Sequence, residues 1–386
     1  MIYLDSAATT HVHPEVLEAM MPYLTNMYGN AGALYGLGRQ AADAIALARE
    51  QVANLVGAMP NQIVFTSGGS EANSLVFSGT KKYLQDNHKM HILTSATEHH
   101  SVIRSAESLQ EDGFKTTFLQ PHAKGAISYN VLKHKANEFT GIISAMYVNN
   151  ETGAINPVHE IGAFCKKKNI LFHTDCVQAA GIKELHVDHI GCDFMSLSAH
   201  KINAPKGVGA LYVRDKEFLT PVIYGGKDQE FGLRGGTENV AHIVGYGKAC
   251  EILTRDFQQN LERVLFLKNL FLKSLIEAMK RNETLQCLHN NSHFTDSKIL
   301  SLTFDGVDGQ TLLLALDASE IYVSVGSACR SHEIHPSHVL LAMGMSEEQA
   351  RDSIRVSFSH TLHQEDVIYA AYKIADLVHA LKCGIQ

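Results

Sequence analysis

Apolar runs of strand length, each closed by a small polar cluster and followed by a helix-like stretch, recur through residues 63–213 of this chain. Ile63-Val64-Phe65-Thr66 leads into Ser67-Gly68-Gly69-Ser70 and an amphipathic stretch from Glu71. His91-Ile92-Leu93-Thr94 precedes helix-like sequence over about 99–112, and the apolar run from Gly141 to Val148 stops at Asn149-Asn150-Glu151. A helical pattern at about 158–168 is followed by strand runs at 170–174, 193–197 and Gly209 to Val213. Strands without polar alternation are buried on both faces, and repeated β-then-α order supplies the helices that cover them. The pattern predicts an α/β fold with a mainly parallel sheet flanked by helices. Ligands in such sheets gather at the carboxyl ends of strands, and the polar clusters named here all fall at those ends.

From about residue 251 the texture changes. One long helical stretch covers roughly 245–280, after which strand-like Lys298 to Phe304, Ile321 to Ser324 and Ile354 to Ser357 alternate with helical 308–317 and 364–381. This predicts a second, smaller α+β domain, joined through a helix because no Pro/Ser/Gly-rich spacer intervenes. With 386 residues, 45% hydrophobic and 19% charged, the chain can bury a sizeable core. A net charge of −7 argues against a broad basic surface, so contact with nucleic acid is expected only indirectly. The seven cysteines are irregularly spaced and form no CxxC pair, which points to a reducing compartment. The first residues lack a basic n-region and a long apolar h-region, and no run approaches the ~18 apolar residues of a membrane span. A cytoplasmic protein with no direct membrane binding is expected.

The chemistry starts at Ser198-Ala199-His200-Lys201, where a strand end delivers a lysine into a cleft. Burial lowers an ammonium's pKa, and a neutral amine can form a Schiff base with an aldehyde. Asp175 and Gln178 close another apolar run. An ionised carboxylate can keep a pyridine nitrogen protonated, and an amide can bond a ring's phenolic oxygen. A lysine for the aldehyde and an aspartate for the ring nitrogen are the minimal equipment for pyridoxal phosphate. The glycines of the Gly69–Ser70 turn open a helix N-terminus that, beside Ser198 and His200, makes a phosphate cup. His99 could stack on the ring, although its spacing alone fits a helix start. Arg355 is a charge within a β-like run, suited either to a substrate carboxylate or to a structural ion pair. Cys329, in Gly326-Ser327-Ala328-Cys329-Arg330, has small neighbours that favour an exposed, nucleophilic thiolate over a buried thiol. His332-Glu333-Ile334-His335 and His338 suggest a metal, but the spacing is not HExxH and Pro336 interrupts any helix. We read that segment as a histidine-bearing loop and expect no metal.

Taken in order, these residues resemble the class V aminotransferase-like branch of fold-type I pyridoxal phosphate enzymes, in particular the NifS/IscS-like cysteine desulfurases. The resemblance also covers Tyr3 to Thr10, Thr66 to Asn73, Thr97-Glu98-His99, Val148 to Gly153, Arg234-Gly235-Gly236-Thr237 and Ser353 to Ser357. It implies a large cofactor domain over 13–250. A small domain would combine 1–12 with 251–386 and carry a cysteine loop at about 325–336. It implies that Lys201 is the Schiff-base lysine, Asp175 the pyridinium partner, Gln178 the ring-oxygen partner and His99 the stacked ring and proton donor. Gly69, Ser70, Ser198 and His200 would hold the phosphate, and Asn150 and Arg355 the substrate carboxylate. Thr237 would reach the phosphate of a neighbouring subunit, implying a homodimer with shared active sites.

The implied reaction removes sulfur from L-cysteine, giving L-alanine and a persulfide on Cys329. A sulfur-acceptor protein, a scaffold or carrier serving iron–sulfur cluster assembly or tRNA or DNA sulfur modification, would receive it. Three rivals accompany this reading: a selenocysteine lyase, an aminotransferase, and a low-turnover docking platform for sulfur carriers. Some positions depart from the family pattern. Gly69-Ser70 stands where relatives often have Ala-Thr, and Ala199 stands in place of a common Gly. Asn203-Ala204-Pro205 is similar to the equivalent stretch of desulfurases associated with DNA phosphorothioation. Gly-Ser-Ala-Cys around Cys329 resembles the long-loop group.

Overall fold

The computed structural model describes residues 1–292, 296–326 and 336–384. Strand β1 (Ile2–Tyr3) belongs to the second of two cores and is placed below. The main sheet is built from β2 (Ile63–Thr66), β3 (His91–Ser95), β4 (Lys115–Leu119), β5 (Thr140–Ser144), β6 (Leu171–Asp175), β7 (Phe194–Ser198) and β8 (Gly209–Val213). Their spatial order is β2-β8-β7-β6-β5-β3-β4. Pairing is parallel from β4 across to β7, and β8 runs antiparallel to both β7 and β2. The sheet is thus mainly parallel, as expected. Only 199–208 separate β7 from β8, too few residues for the crossover a parallel neighbour needs.

Side chains along each strand alternate between two helical layers. Phe65, Leu93, Ile143, Phe172 and Met195 pack with the helices Gly36–Val56, Val158–Lys168 and the first part of Val240–Arg281. Val64, Ile92, Ile142, Leu171 and Phe194 pack on the other face, against Gly69–Asp86 and His100–Ser108. Burial of both faces is why these strands read as unbroken apolar runs. The exception is β4, an edge strand whose Lys115, Thr116 and Thr117 carry no such signal. The Gly141–Val148 run is only partly strand. Past Ser144, Ala145 and Tyr147 still donate to His173 and Asp175 of β6, but the chain then turns into the site.

The second core holds β9 (Leu288–Asn290), β10 (Ile299–Phe304), β11 (Ile321–Tyr322), β12 (Ser324–Val325) and β13 (Ser353–Ser357). A four-stranded antiparallel sheet runs β12-β13-β10-β9, while β1 pairs parallel with β11. The strand expected over 321–324 is therefore two short ones that break at Val323 and serve different sheets. The linking helix is longer than the sequence suggested, with 42 residues over Val240–Arg281. It lends Ile252 to the first core and Val264, Leu267 and Phe271 to the second. Among the described residues no helix is long and apolar enough to cross a membrane.

Candidate active site

The carboxyl ends of β6 and β7, the start of the Gly69–Asp86 helix and the N-terminal segment enclose a cavity of about 290 Å3. Gly69, Ser70, His99, Asn150, Asp175, Gln178, Ser198, His200, Lys201 and Arg355, all singled out in the sequence, line it together. Thr237 is not among the lining residues and is exposed elsewhere on this chain, and the predicted Cys329 lies outside the described residues.

Lys201 ends a single helical turn after β7, and its Nζ donates to the carbonyls of Ala7 and Ala8, each at 2.6 Å. Burial, reinforced by the charges of Lys298 and Arg355, brings its pKa down to about 7, with Asp5 and Asp175 opposing. An amine that is substantially neutral near pH 7 is the form that attacks an aldehyde. Asp175 is buried at the end of β6. Its Oδ2 accepts from Asn73 Nδ2 at 2.8 Å, and its Oδ1 accepts from the Val177 amide at 3.0 Å. These donors hold the carboxylate in place.

His99 caps the helix that begins at His100. Its Nδ1 accepts from the Ser101 amide and lies 2.7 Å from the Ser101 hydroxyl. The helix-start reading and the cavity-facing reading both hold for this one residue. The ring is reachable from solvent, yet surrounding protein lowers its pKa, with His100 and Lys201 adding to the effect. His200 meets Thr9 through Nδ1 at 3.2 Å, and burial, helped by Lys201, brings its pKa down to about 4. It is therefore a neutral donor or acceptor in the cup. A Cβ on Gly69 would lie 2.7 Å from Val177 Cγ2, so an alanine there needs the Val177 side chain to shift.

Gln178 Nε2 donates to the Ala7 carbonyl at 2.8 Å, which leaves its Oε1 in the cavity as an acceptor that a phenolic O–H could meet. Arg355, central in β13, forms the ion pair that is one of its two readings. Nη2 pairs with Asp5 at 2.9 Å, Nη1 donates to the Asn150 carbonyl at 2.9 Å, and the residue still faces the cavity. Sequence reasoning missed Asp5 and Asn73 as site residues. Asn73 lies one helical turn past Gly69, a spacing that could have suggested a shared face. Nothing local marks Asp5.

Gly326 and Ser337, both among the described residues, sit beside one acid. A Cβ on Gly326 would lie 2.8 Å from Glu151 Oε2, and the Ser337 hydroxyl donates to the same oxygen. Glu151, next to Asn150, is buried, and burial raises its pKa to about 7.

Buried polar atoms without partners are uncommon and call for explanation. Among the described residues, Asn73 Oδ1, Asn150 Oδ1, Gln178 Oε1 and Arg355 Nε are all of this kind, and all belong to this cavity's lining. A polar ligand carrying several donors and acceptors fits these residues, and pyridoxal phosphate with an amino acid is such a ligand.

A nucleophilic lysine, a fixed carboxylate and a helix-start cup at the strand ends of a mainly parallel sheet define a cofactor-dependent α/β enzyme. The class-V aminotransferase family matches residues 2–369, and the chain belongs to that family, whose cofactor is pyridoxal phosphate. The cysteine desulfurase IscS of Clostridium botulinum (strain Hall) is 40% identical over 374 residues, which are 95% of this chain and 92% of the relative. Among solved structures, a NifS-like protein superposes with a TM-score of 0.89 at 32% identity, covering 97% of this chain and 98% of the other. SspA in complex with cysteine superposes at 0.78 with 35% identity, covering 93% and 99%.

Proposed function

We propose that this chain is a pyridoxal phosphate-dependent cysteine desulfurase that takes sulfur from L-cysteine, releases L-alanine and passes the sulfur on from Cys329. The observation that carries this is one cavity holding a lysine with a lowered pKa, a fixed aspartate and an arginine able to face a carboxylate. When bound, the cofactor supplies the electron sink that makes an amino acid's Cα proton removable. Lys201 would hold the cofactor through its amine. The Gly69–Ser70 turn, Ser198 and His200 would cradle the phosphate, and Asp175 would keep the ring nitrogen protonated.

Arg355 and Asn150 would orient the substrate carboxylate, with Asp5 fixing the guanidinium from behind. Lys201, once free, would move the Cα proton, and His99 would deliver a proton to the carbon that loses sulfur. The Cys329 thiolate attacks the substrate's Sγ. The Cβ–Sγ bond breaks as the S–S bond forms, the carbon takes a proton to become alanine, and Cys329 carries the persulfide. A sulfur-acceptor protein in a cytoplasmic compartment, a scaffold or carrier, would collect it. The small domain of 1–12 with 251–386 would deliver Cys329 to the large domain of 13–250, and Thr237 would reach a partner subunit's phosphate site in a homodimer.

The test is alanine and sulfide formation from L-cysteine with a thiol reductant. We expect both products from the native chain, loss of both in Cys329→Ala, and loss of the bound cofactor's absorbance in Lys201→Ala. Undiminished alanine from Cys329→Ala would sink the persulfide step, and an unchanged spectrum would sink the role of Lys201.

A further inference from the structure

The N-terminal segment separates two cavities. Ala7 and Ala8 face the site already described, while Ser6 and Thr10 face a second space of about 250 Å3 on the other side of Lys201. Lys298, at the foot of β10, lines this second space and is 6% exposed. Its Nζ makes one hydrogen bond, a long one of 3.5 Å to the Lys201 carbonyl, and among the described residues it enters no ion pair. A buried ammonium without an anionic partner is costly. The imidazoles of His13 and His360 line the same space. His13 Nδ1 is occupied in capping the helix Pro14–Thr25, which leaves Nε2. The one carboxylate present, Asp256, is held by Arg255 at 2.8 and 2.9 Å, so its charge is already offset.

We propose that this second cavity binds a small oxyanion against Lys298, with the rings of His13 and His360 beside it. The consequence reaches the first cavity. After burial itself, the Lys298 charge is the largest influence holding down the pKa of Lys201. An anion on Lys298 would cancel that charge and return Lys201 toward its protonated form, so occupancy would tune the reactive amine from behind.

The test is calorimetric titration of the cofactor-loaded protein with sodium phosphate and, separately, sodium acetate, at an ionic strength fixed with chloride. Saturable binding of either is expected, phosphate marking a tetrahedral oxyanion and acetate a carboxylate. Lys298→Met should weaken it about tenfold or more, the loss of one charge-assisted hydrogen bond. Crystals of the native protein soaked in molybdate should place the oxyanion within hydrogen-bond reach of Lys298 Nζ. The soak needs no variant, so a Lys298→Met chain that fails to fold leaves the question decided. No saturable binding, binding unchanged by Lys298→Met, or molybdate found only at the Gly69–Ser70 turn or at Arg355 would overturn the proposal. None of these readouts depends on L-cysteine being the substrate.

Discussion

Lys201 shows what a single residue reveals and conceals. Its place at a strand end, with Asp175 at the next, was legible because both close apolar runs. The pKa of about 7 was not legible, because Lys298 and Arg355 come from a distant part of the chain. The same holds for Asp5 behind Arg355, which is 350 residues away in sequence. Three buried lysines set a pH signature. The folded pKa values of Lys201, Lys298 and Lys268 are about 7, 8 and 8, against roughly 10.4 in an unfolded chain. Between those limits the unfolded state holds more protons, so stability rises with pH. Burial raises the Glu98 carboxyl, which offsets part of this rise, and the thiols of Cys165, Cys176, Cys192 and Cys250, which act oppositely above their ordinary pKa of about 8.5. The urea midpoint of the cofactor-free protein should therefore climb between about pH 7 and 8.5, and Lys298→Met should flatten the climb. An equally steep climb in that variant would remove Lys298 from the account.

Elements whose two faces are both covered were the legible ones. The edge strand β4 was hidden by its own polar residues, and the split at Val323 was hidden because two-residue strands leave no periodicity to read. The direction of β8 could have been argued from its short connection to β7, since chain length alone rules out the parallel alternative. That strand also backs the turn that precedes Ser70. A Cβ on Gly209 would lie 2.7 Å from both Gly68 Cα and the Leu197 carbonyl. Backbone on both sides cannot give way without moving the turn ahead of Ser70. Gly209→Ala should cost about 1–3 kcal/mol in urea unfolding and loosen cofactor retention in dialysis. A variant of native stability that releases cofactor no faster would show that the turn tolerates the displacement.

For the whole molecule, the order of motifs made the family legible, while the cavity's second wall, Ala7 and Ala8, needed coordinates. If Thr237 completes a partner's site, two crippled chains should rescue each other. Lys201→Ala disables its own site and Thr237→Val the neighbour's, so a mixed dimer keeps one intact site. Unfolding the two variants together and refolding them should restore alanine formation that neither gives alone, and no recovery would argue for self-contained sites. The pairing of the N-terminal segment with the end of the chain has a consequence in time. Ser6 bonds the Phe358 carbonyl 352 residues further on. At about 5–20 residues per second, synthesis separates these partners by roughly 18–70 s. For about the last 145 of those residues, roughly 7–29 s, the main sheet is complete through Val213 while Ser6 and Ala7 still lack their partners Phe358 and Ser357. The N-terminal wall of the cavity is thus fastened to the second core only when translation is nearly over.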